Sequence, residues 1–129
     1  MTCVYLSAED VVGIAENACG DTPLVRDLGL VAEAAFRPTS VHGGKDVYPG
    51  TVDKAAALLQ SLAFRSPFVG RNNSTAWLSC VTFLAMNGVQ LRPDIDAAER
   101  LVIAVATGET DEVEDIACGL RELVLADVS

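Results

Sequence analysis

Histidine occurs once in this 129-residue chain, at His42, and the four cysteines stand far apart at Cys3, Cys19, Cys80 and Cys118. Cys/His zinc sites draw on closely spaced ligand pairs, and the sequence has no Cys-x-x-Cys pair, so no metal site and no cofactor are expected. Aromatic residues are scarce at 5%, and nine Lys and Arg face eighteen Asp and Glu for a formal net charge of −9. An acidic surface repels phosphate backbones, which argues against nucleic acid as a partner, and it favours solubility. No stretch reaches the ~20 apolar residues of a membrane span. The first ten residues carry neither a basic segment nor a long apolar run, so they do not read as a signal peptide. The expected setting is the reducing cytoplasm, with Cys80 and Cys118 as buried free thiols in apolar helical stretches.

What the chain has is Ala, Leu and Val, and half of its residues are hydrophobic. That composition favours an all-α fold of closely packed helices, and the length fits one domain over residues 1–129. Ser7, followed by Ala-Glu-Asp, caps a first helix that Cys19-Gly20 ends. Pro38 stops a second helix running from about Asp27 to Phe36. Thr39 to Gly50 loses the helical period and carries Gly43-Gly44 between two short β-prone pieces, which predicts a loop or small hairpin. Four more helices are expected, over Thr51 to about Ala63, Ser74 to about Asn87, Asp96 to Thr107, and about Glu112 to Ala126. The Ser74–Asn87 stretch is apolar almost all round, the pattern of a buried central helix.

Between the third and fourth of these lies Ser66-Pro67-Phe68-Val69-Gly70-Arg71-Asn72-Asn73-Ser74-Thr75-Ala76. Free amides at a helix start, with Asn and Ser side chains and the charge of Arg71 close by, make an anion cradle. Plain N-capping by Asn73 or Ser74 explains the same residues. Phe68 reads as an apolar anchor for the loop.

The segment from Arg26 to Asn87 resembles the Fic/Doc family, most of all its Doc branch. The resemblance rests on the order and spacing of several blocks: Arg26-Asp27-Leu28-Gly29-Leu30, Ala34-Ala35-Phe36-Arg37-Pro38, Gly44-Lys45-Asp46-Val47-Tyr48-Pro49, Lys54-Ala55-Ala56-Ala57-Leu58-Leu59 and Thr82-Phe83-Leu84-Ala85-Met86-Asn87-Gly88. It implies a compact bundle of about six helices with a short flap. It also implies an antitoxin-like protein partner, and a chemistry in which Fic members transfer AMP to a protein hydroxyl while Doc phosphorylates elongation factor Tu. The family motif reads His-x-Phe-x-Asp/Glu-Gly/Ala-Asn-Gly/Lys-Arg.

Laid on this motif, the base position is Ser66, the acidic magnesium-holding position Gly70, the small position Arg71 and the final Arg position Ser74. Phe68 and Asn72 match. A general base contributes about 10²–10⁴-fold, and loss of charge stabilisation costs several kcal/mol more. The family's transfer reaction is therefore expected to be near background.

Two classes of function remain. One is a binding module or toxin-derived pseudoenzyme holding a partner helix or an anion. The other is an enzyme repurposed for a small-molecule or peptide substrate. For the second, the candidate catalytic residues are Ser66, His42 and Arg71, and the candidate ligand-binding residues are Arg71, Asn72, Asn73, Ser74, Lys45 and Asp46. Trp77 walls such a pocket or joins the core. An exposed apolar groove would favour the first reading, and a deep closed pocket around Arg71 and His42 the second.

Overall fold

The structure, a computed structural model, describes residues 3–125. Six helices follow in the order α1 (Ala8–Cys19), α2 (Leu28–Phe36), α3 (Thr51–Arg65), α4 (Asn72–Met86), α5 (Ile95–Ala106) and α6 (Val113–Arg121). A 3-10 turn over Arg37–Thr39 and a hairpin of β1 (Val41–His42) and β2 (Lys45–Asp46) connect α2 to α3. The fold is all-α, as the composition implies, and among the described residues no helix is long and apolar enough to cross a membrane.

Helix ends follow local chemistry. At α1, Ser7 Oγ accepts from Asp10 N (3.1 Å) while the Asp10 carboxylate accepts from Ser7 N (2.9 Å), a reciprocal capping box. Gly20 closes the same helix at φ 71, a left-handed conformation that glycine adopts without strain. Asp27 caps α2 and Asp94 caps α5, each accepting from the amide three residues on. In the hairpin, Val41 pairs with Asp46 and His42 with Lys45. Gly43 and Gly44 form its turn at φ 59 and φ 79, the conformation that selects glycine in a two-residue connection.

The centre of the bundle is α3, not α4. Helix α3 touches α2, α4, α5 and α6, and its residues from Lys54 to Leu59 are all buried. The periodicity of α4 misled because Leu78 and Met86 are apolar yet lie on the exposed side, while Thr75 and Ser79 are buried against the core. Small side chains on α3 (Ala55, Ala56 and Ala63) let its neighbours approach, and Phe83, Leu84, Ile116 and Leu120 fill the space around them.

Three further expectations need correction. Helix α4 begins at Asn72, so Asn73 and Ser74 lie inside its first turn and neither caps it. Helix α6 ends at Arg121, well short of 126. The chain there turns to pair with residues 90–92, with Arg92 N donating to Leu123 O (2.7 Å) and Leu125 N to Gln90 O (2.9 Å); Ala126 itself lies outside the described residues. Cys118 is exposed, because it falls on the far side of α6 from Ile116 and Leu120, whereas Cys80 is fully buried. Burial pushes the Cys80 thiol up to about 12.

Candidate functional site

The loop from Ser66 to Arg71 is held in place by the segment before α2. Arg26 N and Asp27 N both donate to Pro67 O (2.8 and 3.0 Å), and Val69 N donates to Leu24 O (2.9 Å). The Arg26 guanidinium donates to the carbonyls of Ser66 and Arg65, with Nη2 at 2.6 and 2.8 Å. Two residues of the loop take the left-handed conformation, Ser66 at φ 47 and Arg71 at φ 60. Non-glycine residues adopt it at a cost and persist there only where surrounding contacts hold them. Here the Arg26 side chain and the backbone of residues 24–27 hold the loop at Ser66, Pro67 and Val69. Phe68 is buried, as expected of an anchor.

Asn72 has a structural task. Its Oδ1 accepts from Phe68 N (3.0 Å) and its Nδ2 donates to Phe68 O (2.9 Å), so the carboxamide closes the loop on itself. Arg71 occupies the N-cap of α4 with no side-chain cap, and the first intrahelical bond runs from Thr75 N to Arg71 O (2.9 Å). The amides of the first turn have no carbonyl within the helix to bond, and Arg71, Asn73 and Ser74 beside them are exposed.

His42 and Lys45 are exposed on the hairpin. Asp46 turns inward to Lys54, a lysine only 3% exposed, at 3.2 Å, and the same ammonium donates to Tyr48 O. Lys54 thus ties the base of the hairpin to α3. No local pattern marked it out, because a lysine between Asp53 and Ala55 reads as an ordinary surface charge of a helix. Arg37 performs a similar role, donating to Tyr48 Oη (2.9 Å), Ser61 Oγ (3.1 Å) and Ala57 O (3.2 Å).

Four grooves among the described residues are lined by other residues than Ser66, Arg71, Asn72, His42, Lys45 and Asp46. Asn73 and Ser74 instead stand at one end of a mostly apolar groove of about 400 Å³ between α4 and α5. Its walls include Trp77, Ile95, Val102 and Ile103, with Glu99 as the one charged lining residue. Trp77 is half-buried, packing on the core and facing the groove at once.

No protein-family profile matches the sequence. The chain is, however, 47% identical over 124 residues to the toxin Doc of Mycolicibacterium smegmatis, a match that covers 95% of each chain. Identity at that level along nearly the whole length, on a helical bundle with a short hairpin, leaves little room for a different lineage: the chain belongs to the Doc family.

Proposed function

We propose that this protein is a Doc-family toxin relative that acts by binding a partner polypeptide and no longer transfers a nucleotide or phosphoryl group. The observation carrying this reading is the state of the motif loop. Ser66 and Gly70 bring neither imidazole nor carboxylate, and the carboxamide of Asn72 is spent on the loop backbone. Arg71 places a long cationic side chain where the family has a small residue. The polar positions have become loop structure.

Beside them opens the α4–α5 groove, with Ile95 at 78% and Ile103 at 47% exposure. Apolar side chains spaced along a helix and left open to water are what an amphipathic partner helix covers. An antitoxin-like partner seated there would lie next to the first turn of α4. The alternative of a repurposed enzyme gathers its polar residues in a closed pocket around Arg71 and His42, and neither residue lines one of the four grooves.

Calorimetric titration with Mg–ATP tests the first half of the proposal. The expected result is no saturable binding at millimolar nucleotide, and tight binding would refute it. Coexpression with the product of the adjacent gene tests the second half. A stable complex that Ile95→Asp and Ile103→Asp both dissolve is the expected result. A complex indifferent to both substitutions would remove the groove from the account.

A further inference from the structure

Only seven aromatic side chains occur in the chain, and three of them (Phe36, Tyr48 and Phe64) line one groove on a different face from α4–α5. This groove, of about 760 Å³, lies between α2, the base of the hairpin and the C-terminal half of α3. Phe36 is 69% exposed and Phe64 is 55% exposed. An exposed lone apolar residue is ordinary, but two phenylalanines open to water in one concave site are the informative case. Exposed aromatics in a groove are also the side chains that most often anchor a protein partner.

The groove does not end there. A second one, of about 480 Å³, runs from the hairpin base to the start of α6 and shares Arg37, Val47, Tyr48, Gln60 and Asp111 with the first. The two grooves adjoin along these shared residues, which are tied to one another and to α3. The Arg37 guanidinium is bonded to Tyr48 and α3 and lies 5.4 Å from the centre of the Tyr48 ring. Gln60 Nε2 donates to Asp111 O (2.7 Å), joining α3 to the segment before α6.

The two ends differ in charge. At the aromatic end, Arg65 is balanced by Glu33 at 3.8 Å. The other end is lined by Asp53, Asp111, Glu112 and Glu114. Asp53 is paired with Arg121 at 2.9 Å. The other three carboxylates have no Lys or Arg nitrogen within ion-pair distance among the described residues.

We infer that this cleft is a second docking surface, for a polypeptide segment that carries an apolar or aromatic anchor for the Phe36–Phe64 end and Lys or Arg for the Asp111–Glu114 end. Complementary charge selects the partner: against the Arg37 guanidinium, which is bonded to neutral acceptors, the three unpaired carboxylates leave the cleft net negative, so it attracts a basic segment and repels an acidic one. The same repulsion disfavours a second copy of this chain, whose net charge is −9. The inference is independent of the α4–α5 groove, and each surface stands or falls by itself.

The test is selection from a random dodecapeptide phage library on the full-length protein. The selected peptides are then titrated by fluorescence anisotropy against wild type, Phe36→Ser, the double variant Glu112→Gln/Glu114→Gln, and Ile103→Asp. The altered side chains in the first two variants are solvent-exposed, and circular dichroism checks that both remain folded. Enriched sequences should combine an aromatic or aliphatic residue with Lys or Arg. Their affinity should fall at least tenfold with Phe36→Ser and severalfold with the double Gln variant, weaken with added salt, and be unchanged by Ile103→Asp. No enrichment, enrichment of acidic sequences, or binders indifferent to Phe36→Ser would overturn the inference. Binders lost only with Ile103→Asp would also overturn it, while leaving the α4–α5 groove in place.

Discussion

Lys54 and Asp46 allow an unusually discriminating experiment, because the two ends of their ion pair sit in different surroundings. The Lys54 side chain is 4% exposed and that of Asp46 is 52% exposed, with 3.2 Å between nitrogen and oxygen. Removing one partner of a fully buried pair costs about 3–5 kcal/mol, whereas an exposed pair contributes about 0–1 kcal/mol. Asp46→Asn leaves a buried ammonium with the Tyr48 carbonyl as its remaining strong acceptor. Water reaches the Asp46 side of the pair, so the loss should fall between those limits, at about 1–2 kcal/mol.

Lys54→Met keeps the apolar stem packed and removes the buried charge altogether. It leaves a half-exposed carboxylate that water takes over, so its cost should be about 1 kcal/mol or less. The buried residue is therefore expected to be the less costly one to replace. The double variant should be no less stable than Asp46→Asn alone. Urea denaturation of the four proteins closes the double-mutant cycle. In a chain of this size each kcal/mol moves the melting temperature by roughly 3–5 °C. Hydrogen exchange at Val47, whose amide donates to Ser40 O (2.9 Å), should report faster opening of the hairpin base in both single variants. A loss above about 3 kcal/mol for Lys54→Met, with Asp46→Asn near neutral, would refute the reasoning.

The hydroxyls of Thr75 and Ser79 are buried without a hydrogen-bond partner among the described residues, so Thr75→Val and Ser79→Ala should each stabilise by about 1 kcal/mol in thermal unfolding; a loss of that size would mean that both hydroxyls find partners. Asn72→Ala removes both bonds to Phe68 and should cost about 1–3 kcal/mol, with exchange protection lost first at Phe68. Cys80, with its thiol near 12 and no exposure, should resist alkylation at pH 8 until the protein unfolds, while Cys118 reacts in the native state, as peptide mapping by mass spectrometry would show. Asp10 is held below its ordinary value of 3.8, first by the Ser7 backbone amide and then by the Ser7 hydroxyl. Its capping contribution is therefore present above pH 3.8 and is lost as pH falls through the lowered value. Amide exchange in the first turn of α1 should accelerate in that acid range, and Asp10→Asn should largely flatten the response.

Much of the fold is legible locally because caps and turns are short-range chemistry. Ser7, Gly20 and the Gly43–Gly44 turn each act within a few residues, and each stands where the sequence alone places it. Helix ends set by distant partners are not legible in this way. Helix α6 stops at Arg121 because residues 123 and 125 find backbone partners at 90 and 92, and nothing near 121 announces it. The rank of the helices was also hidden. An alanine-rich stretch and an all-round apolar stretch both read as buried, and only packing decides that α3 lies at the centre.

By itself, the sequence determined that this chain folds as a Doc-type helical bundle and that Ser66, Gly70, Arg71 and Ser74 follow one another through the stretch that joins the third helix to the fourth. Those are statements about identity and order, which need no coordinates. Tertiary structure decided what the remaining polar residues do. It turned Asn72 into a clasp for its own loop, drew Asp46 away to a buried Lys54, and left Asn73 and Ser74 at the mouth of an apolar groove. The physical reason is that a side chain's task depends on which donors and acceptors lie within about 3 Å of it, and those neighbours come from elements 40 residues away or more, as Arg26 with Ser66 and Arg121 with Asp53 show.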